Sequence, residues 1–194
     1  ACAPFRRLHL SHHNLESIRN FDSNNAKPDL LAEVCFAAKE EGASLQGQHG
    51  QHKGTYKGSQ ICTVLARSFA DIGDIVRGRD LFCGNDEEKK KENKDDNLKK
   101  IFQKIHGNLR NGVKDHYKDT DNYYQLREDW WTANRETVWK ALTCDAPEKA
   151  EYFRKACSEG KTPTPNKCRC DGSNVVPTYF DYVPQYLRWF EEWA

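Results

Sequence analysis

Eight cysteines spread along the whole chain restrict its fold more than any other feature of the sequence. They are Cys2, Cys35, Cys62, Cys83, Cys144, Cys157, Cys168 and Cys170. An even number of cysteines at such wide spacings is typical of a disulfide framework formed in an oxidising compartment. The alternative is a reduced intracellular protein in which the thiols are small buried apolar groups. We expect at most two free thiols, and therefore an extracellular protein.

The last four cysteines lie in a region rich in turns, which has little apolar core of its own and needs covalent bridging to hold its shape. Cys168 and Cys170 should belong to different disulfides, because a single intervening residue would strain a direct bond. These two cysteines, and the pair His49 and His52, also have short ligand-like spacings. No CxxC pair accompanies them, so we expect neither a metal site nor a cofactor.

Composition excludes several classes of function. A net charge of +1 gives no overall attraction to nucleic acid or to an anionic membrane. No stretch approaches the roughly 20 apolar residues that insert into a bilayer. The first residues, Ala-Cys-Ala-Pro, contain neither a start methionine nor a signal-peptide core, so we expect a segment of a larger protein.

Apolar residues recur at helical spacing in five stretches, which predicts an all-α fold. The first helix begins near Lys27 and stops at Gly42, and a loop rich in Gly, Gln and His covers 43–59. The second runs from about Gln60 to Gly78, with Arg67, Asp71 and Asp74 on its other face. The remaining helices are expected over 98–113 with weak points at Gly107 and Gly112, over about 121–143, and from Pro184 onward.

Two connecting stretches lack this periodicity. The mixed-charge run between Asn85 and Asn97 has no apolar anchor, so it is either a solvated loop or a frayed helix end. After Cys144 an Ala-Pro-Glu sequence resembles a helix start, and the prolines at 163 and 165 favour an extended connector.

Five blocks of sequence resemble the alpha class of Duffy-binding-like domains, which belong to the variant erythrocyte membrane adhesins of Plasmodium falciparum. The blocks are CAPFRRLHL at 2–10, LLAEVC at 30–35, ICTVLARSFADIGDIVRGRD at 61–80, LREDWWTANR at 126–135 and VPTYFDYVPQYLRWF at 176–190. They are long, keep the family's order and cover nearly the whole chain. Ser11, where many relatives have cysteine, and Cys83 depart from the family pattern, so pairing is not transferred from relatives.

The resemblance implies a disulfide-stapled helical bundle over about 27–194, preceded by an irregular N-terminal subdomain over about 1–26. By the same resemblance, we expect the C-terminal helical hairpin subdomain of the family to be missing from this chain. The implied function is adhesion to host red-cell or endothelial receptors and to heparan sulfate or blood-group glycans, with complement receptor one among the family's partners in rosetting. The implied location is the surface of the infected erythrocyte, within a larger membrane-anchored protein. The alternative is a structural spacer that presents a neighbouring binding domain.

Two groups of basic residues are candidates for binding sulfated glycans, because each sulfate contact is a charge-assisted hydrogen bond. Lys100, Lys104, Lys114 and Lys118 fall at helical steps opposite the apolar stripe of the third helix, together with Asn111. Arg6 and Arg7 form a second pair. The alternative for the lysines is an ordinary solvated helix face.

Aromatic pairs invite two further interpretations. Trp130 and Trp131, and Trp189 with Phe190, could stack on sugars, but their places on apolar stripes favour core packing. Arg127, Arg135 and Arg188 neighbour these aromatics and either stack on them or pair with carboxylates.

An enzyme is not expected. Glu128 and Asp129 are adjacent helix positions that point about 100° apart, so they cannot act together on one sugar. The sequence also has no phosphate-binding glycine loop, GxSxG or HExxH motif.

Overall fold

The computed structural model describes residues 2–10, 25–51, 60–82, 89–171 and 175–194, and within them it contains helices and no strand. The helices are α1 (Phe5–Leu8), α2 (Ala26–Gln51), α3 (Gln60–Arg77), α4 (Lys89–Gly107), α5 (Asn111–Lys114), α6 (Tyr124–Leu142) and α7 (Gln185–Trp193), with a 3₁₀ turn at Phe180–Tyr182. The prediction of an all-α fold is confirmed. Helices α2, α3, α4 and α6 form the bundle, and the 3₁₀ turn and α7 lie against α3.

Helix α3 is the centre of the bundle and has nearly the predicted limits. Leu65, Phe69 and Val76 are fully buried, in keeping with its apolar stripe. The helix ends because Gly78 has a φ of 74°, a left-handed conformation that glycine adopts without steric cost. The N–H of Arg79 donates to the carbonyl of Asp74 at 2.8 Å, and the N–H of Gly78 donates to that of Ile75 at 3.1 Å, as in a Schellman cap.

Helix α2 is longer than the sequence predicts. Gly42 does not stop it, and 43–51 continue the helix; 52–59 lie outside the described residues. The glycine is required by packing, since a Cβ there would lie 2.1 Å from the carbonyl oxygen of Leu142 at the end of α6. Gly42 therefore permits close helix contact and is not the helix terminator that the sequence predicts.

Helix α4 is shorter at its end than predicted and longer at its start. The helix includes the mixed-charge run from Lys89 onward, so this part of the run is helical and is not a loop. It ends at Gly107, one of the two predicted weak points. A turn and the four-residue α5 follow, so 98–113 is not one helix. Val113, expected on the apolar stripe, is 44% exposed because the chain has changed direction before it.

The region from Thr143 to Asp171 is built from turns held by two disulfides. The Ala-Pro-Glu sequence after Cys144 forms turns instead of the predicted helix start. Cys62 pairs with Cys168, and Cys157 pairs with Cys170. Cys168 and Cys170 therefore belong to different disulfides, as predicted.

Three further cysteines, Cys2, Cys35 and Cys144, are unpaired, and Cys83 lies outside the described residues. The expectation of at most two free thiols is thus exceeded. An even cysteine count does not show which Cα atoms come within the 4.4–6.8 Å that a disulfide requires. Burial raises the pKa of the Cys35 thiol.

Candidate functional site

The face of α3 opposite its apolar stripe is buried beneath α7 and the N-terminal segment. Asp71 is fully buried and Asp74 is 4% exposed. We call the ion-paired groups around them the buried charge network. Its members are Arg6, Asp71, Asp74, Arg77, Arg135, Asp181 and Arg188. Buried charges persist only when they are paired and hydrogen-bonded, which explains why so many guanidinium groups converge here.

Asp71 is the most densely paired carboxylate of the network. It accepts hydrogen bonds from Arg6 and Arg188, each at 2.7 Å, and from the side chain of Gln185 at 3.2 Å. Burial by itself would raise the pKa of this carboxyl, but the charges of the two arginines outweigh burial and hold the pKa below its usual value. Asp71 is therefore an anion that joins α3 to both ends of the described chain.

Asp74 lies one helical turn after Asp71, and there burial outweighs the neighbouring arginine charges in setting the pKa of the carboxyl. It accepts hydrogen bonds from Arg77 at 2.9 Å and from Arg188 at 2.6 Å. Burial is the largest influence, the nearby charge of Asp71 adds to it, and together they raise the pKa of Asp74 to about 6. One guanidinium, that of Arg188, serves both aspartates, so Asp74 is incompletely compensated.

Asp181 fixes the 3₁₀ turn to α6. Its carboxylate accepts hydrogen bonds from the indole N–H of Trp131 at 2.9 Å and from two nitrogens of Arg135, each at 2.8 Å. Such bidentate contacts restrict geometry as well as adding energy. The guanidinium of Arg135 also lies 5.6 Å from the Tyr179 ring and 5.2 Å from the Tyr182 ring, so it both stacks and pairs.

Arg6 and Arg7, predicted as a basic pair for glycans, are engaged inside the protein. Arg6 pairs with Asp71 and, at 2.9 Å, with Glu192 on α7. Arg7 is 1% exposed, pairs with Asp80, and lies 4.8 Å from the ring of Phe82. Neither guanidinium is presented to solvent, because each satisfies a carboxylate of the fold.

The candidate lysines lie elsewhere, in what we call the basic segment, residues 98–118. It contains six lysine and arginine side chains and one carboxylate, Asp115. Lys100 and Lys118 are exposed, while Lys104 and Lys114 are half-buried. Lys100 and Lys104 share one face of α4, whereas Lys114 ends α5 and Lys118 lies in the following loop. The predicted continuous lysine face is thus interrupted, although the positive charge stays local.

Contacts with α6 hold the basic segment in place. The hydroxyl of Tyr117 donates to Asp129 at 2.9 Å, and the ring of His106 lies 5.6 Å from that of Tyr123. The carboxylate of Asp119 accepts the backbone N–H groups of Asn122 and Tyr124, each at 3.1 Å. These hydrogen bonds lower the pKa of Asp119. The loop that carries Lys118 is therefore shaped by specific contacts.

The tryptophans of α6 pack in the core, as the sequence favours. Trp130 and Trp131 are buried, and Trp131 lies 5.1 Å from Phe69 between ring centroids. Trp189 is also buried, but Phe190 is 70% exposed, so the second predicted core pair divides between two faces of α7. These tryptophans are unavailable to a sugar.

The carboxylates of the buried charge network are functional residues of the fold that sequence reasoning missed. Arg188, for example, is 117 residues from Asp71 along the chain, a separation that helical periodicity does not register. One signal was present, since Arg77, Arg135 and Arg188 stand in apolar or aromatic helical stretches. A guanidinium in such a place requires a buried anion.

Within the described ranges, no three His, Cys, Asp or Glu side chains are grouped so that they could hold a metal ion. His52 lies outside those ranges, so the histidine pair is not tested. None of the described helices combines the length and the apolar character needed to cross a bilayer.

The helical fold agrees with the comparisons to known proteins. The Duffy binding domain family matches residues 1–188, and the chain belongs to this family. The chain is similar to the NTS-DBL1(alpha-1) domain of Plasmodium falciparum membrane protein 1 (PfEMP1) from the varO strain, with 49% identity over all of this chain and a TM-score of 0.83. It is also similar, with 31% identity over 97% of its length and a TM-score of 0.70, to a DBLβ domain of PfEMP1 bound to human ICAM-1.

The matched structures are longer than this chain. It spans 43% of the NTS-DBL1(alpha-1) chain, 27% of a double-domain chain that adds CIDR-gamma with the same identity and TM-score, and 38% of the DBLβ chain. No curated protein sequence matches it.

Proposed function

We propose that this chain is an adhesion module of a variant surface protein on infected erythrocytes, and that it contributes to rosetting or cytoadherence by binding sulfated host glycans such as heparan sulfate. Membership of the Duffy binding family supports the adhesive role, as does a related domain solved with human ICAM-1. Its location would be the outer face of the erythrocyte membrane, within a larger anchored protein.

The single observation that carries the glycan proposal is the contrast in how basic side chains are used. Arg6 and Arg7 are ion-paired with carboxylates inside the protein. Lys100 and Lys118, in contrast, are exposed in a segment with six basic side chains and one acidic one. Within the described part of the chain, Lys100, Lys114 and Lys118 form no ion pair. Positive charge that the fold does not neutralise is available to sulfate groups.

The test is retention on immobilised heparin after charge reversal. The variant replaces Lys100, Lys104, Lys114 and Lys118 by Glu, and a matched control replaces Lys27, Lys39, Lys149 and Lys155, which are all exposed. We expect loss of retention in the first variant and a much smaller decrease in the control. Equal retention by the two folded variants would eliminate the basic segment as the site.

A second candidate function is a spacer that presents a neighbouring binding domain. It is favoured by the exposed apolar face of α7, where Leu187, Phe190 and Trp193 are 46%, 70% and 61% exposed, since such faces often mark contacts with other segments. Exchanging only the neighbouring domain of the parent protein distinguishes the spacer function from direct adhesion by this chain. Erythrocyte binding that follows the exchanged neighbour supports the spacer, and binding that stays with this chain supports adhesion.

A further inference from the structure

Asn111 and Gly112 form the one Asn-Gly pair of the sequence, and they lie within the basic segment. Both residues are exposed and belong to α5, a single helical turn in which no residue is buried. The backbone nitrogen of a glycine that follows asparagine can attack the asparagine side-chain amide, because glycine has no β-carbon to hinder the approach. This attack proceeds only where the fold leaves both reacting groups free.

Neither reacting group is engaged by the described part of the chain. The hydrogen bonds of α5 begin one residue after Gly112, where the N–H of Val113 donates to the carbonyl of Arg110 at 2.9 Å. Within the described ranges, the N–H of Gly112 and the side-chain amide of Asn111 make no hydrogen bond. The nucleophile and the group it attacks are therefore both open to reaction.

The backbone at Asn111 must also leave its helical conformation, because closure of the five-membered ring needs a ψ angle outside the helical range. Helix α5 gives little resistance to this change. Glycine is the least favourable helix residue after proline, and a lone exposed turn lacks the packing that stabilises most helices in proteins. Arg110, immediately before the turn, is already extended, with a ψ of 147° and no side-chain cap hydrogen bond. Exposed segments of this kind open locally at little cost in free energy.

We propose that Asn111 is a site of spontaneous deamidation, which converts a neutral side chain of the basic segment into a carboxylate. The nitrogen of Gly112 forms a bond to Cγ of Asn111 and loses its proton, the bond from Cγ to the amide nitrogen breaks, and ammonia leaves. Water then opens the resulting succinimide at either of its carbonyl carbons, which gives aspartate or isoaspartate at position 111. Water is the only co-reactant, and each product carries a negative charge.

The change in charge bears on sulfate binding, and this consequence rests on the proposed glycan-binding function. The basic segment has one carboxylate, that of Asp115, and deamidation gives it a second. Position 111 lies three residues before Lys114 on α5, so the new carboxylate is a neighbour of that ammonium group. It competes with sulfate for the ammonium and repels the ligand. The segment therefore loses affinity for anions as the protein ages.

The experiment is incubation of the folded chain at physiological pH and temperature, followed at intervals by peptide mapping and mass spectrometry. The matched control is Gly112→Ala, which the fold accepts because a Cβ at this glycine meets no atom within 4 Å. We expect deamidation at position 111 to be about tenfold or more slower in the control, since the added methyl group hinders the attack. Asn134 should stay intact in both proteins, because its amide donates to the carbonyl of Trp130 at 2.7 Å.

A second variant, Asn111→Asp, carries the charge of the product from the start and tests the consequence separately. We expect this variant and the aged wild type to elute from immobilised heparin at lower salt than the fresh wild type. An intact Asn111 after prolonged incubation would overturn the inference, and so would equally fast deamidation in Gly112→Ala. Deamidation without any change in elution would refute the glycan role of the basic segment and leave the modification site standing.

Discussion

The buried charge network and the basic segment both contain several basic side chains, but those of the network are buried and ion-paired, whereas the basic segment exposes some of its own to solvent. In the network, Arg188 lies between Asp71 and Asp74 in a buried interface, and every guanidinium has an internal anion. In the basic segment, Lys100 and Lys118 are solvated and close no interface. Charge in the first region therefore determines how the chain folds, whereas charge in the second is available for a partner.

The largest effect should come from removing the central anion of the network. Asp71→Ala leaves Arg6 and Arg188 without their shared carboxylate, and breaking one partner of a buried pair costs about 3–5 kcal/mol. Urea unfolding of the variant and the wild type measures this loss. A decrease below about 1 kcal/mol would mean that water reaches the site and that the network resembles the solvated basic segment.

A smaller loss should follow from Arg7→Met, which keeps much of the length of the side chain and its packing on Phe82. The carboxylate of Asp80 loses its cationic partner and keeps only the hydrogen bonds from Gln185 and the N–H of Phe82. We expect a cost of about 1–3 kcal/mol. Heparin retention by the folded fraction should stay at the wild-type level, because Arg7 is buried. Reduced retention at unchanged stability would instead place this arginine in the glycan site.

The third prediction uses the raised pKa of Asp74. Because its pKa of about 6 exceeds its value in the unfolded chain, the folded state binds this proton more tightly. The resulting contribution to stability is complete below the unfolded pKa and is lost as the pH rises through about 6. Acidification from pH 7 to pH 5 should therefore add about 1 kcal/mol to the wild type relative to Asp74→Asn.

Chemical unfolding at the two pH values, with the Asn variant as baseline, isolates this effect from the other carboxylates. Asp71 acts in the opposite direction, since its lowered pKa gives stability that is lost on acidification. A wild type that loses stability relative to Asp74→Asn between pH 7 and pH 5 would contradict the assignment.

The smallest effect on stability is expected in the basic segment. Lys118→Glu should change the free energy of unfolding by no more than about 0.5 kcal/mol, because the side chain is exposed. Heparin retention of the wild type should fall steeply as salt rises, because the screening length is already about 8 Å at 0.15 M. Thermal unfolding and salt elution together check both parts, and a destabilised Lys118 variant would show that this lysine belongs to the fold.

Sequence periodicity predicts the parts of the fold that depend on local apolar stripes. The limits of α3, the buried Trp131 and the helix start after Pro184 all follow from neighbours a few residues apart. The features that periodicity does not predict depend on contacts between residues far apart in the sequence. Gly42 and Asp71 have roles set by residues about 100 or more positions away, namely Leu142 and Arg188.

For the basic segment, the sequence predicts the local excess of basic residues but not their arrangement in space. The excess of lysine near α4 is visible in the sequence, but the turn after Gly107, which separates Lys100 from Lys114, arises from how the chain meets α6. The arginines at positions 6 and 7 look like an exposed pair because their partners, Glu192 and Asp80, are distant in sequence.

The bond between Arg6 and Glu192 joins residues 186 positions apart, which bears on how the chain is made. During synthesis at about 5–20 residues per second, the N-terminal segment waits roughly 10–40 seconds for its partner to be translated. From the synthesis of α3 until that of α7, Asp71 lacks Arg188, one of the two arginines that pair with it in the folded protein. The buried charge network is therefore completed only when α7 is available, and the nascent chain must stay soluble with Asp71 and Asp74 incompletely paired until then.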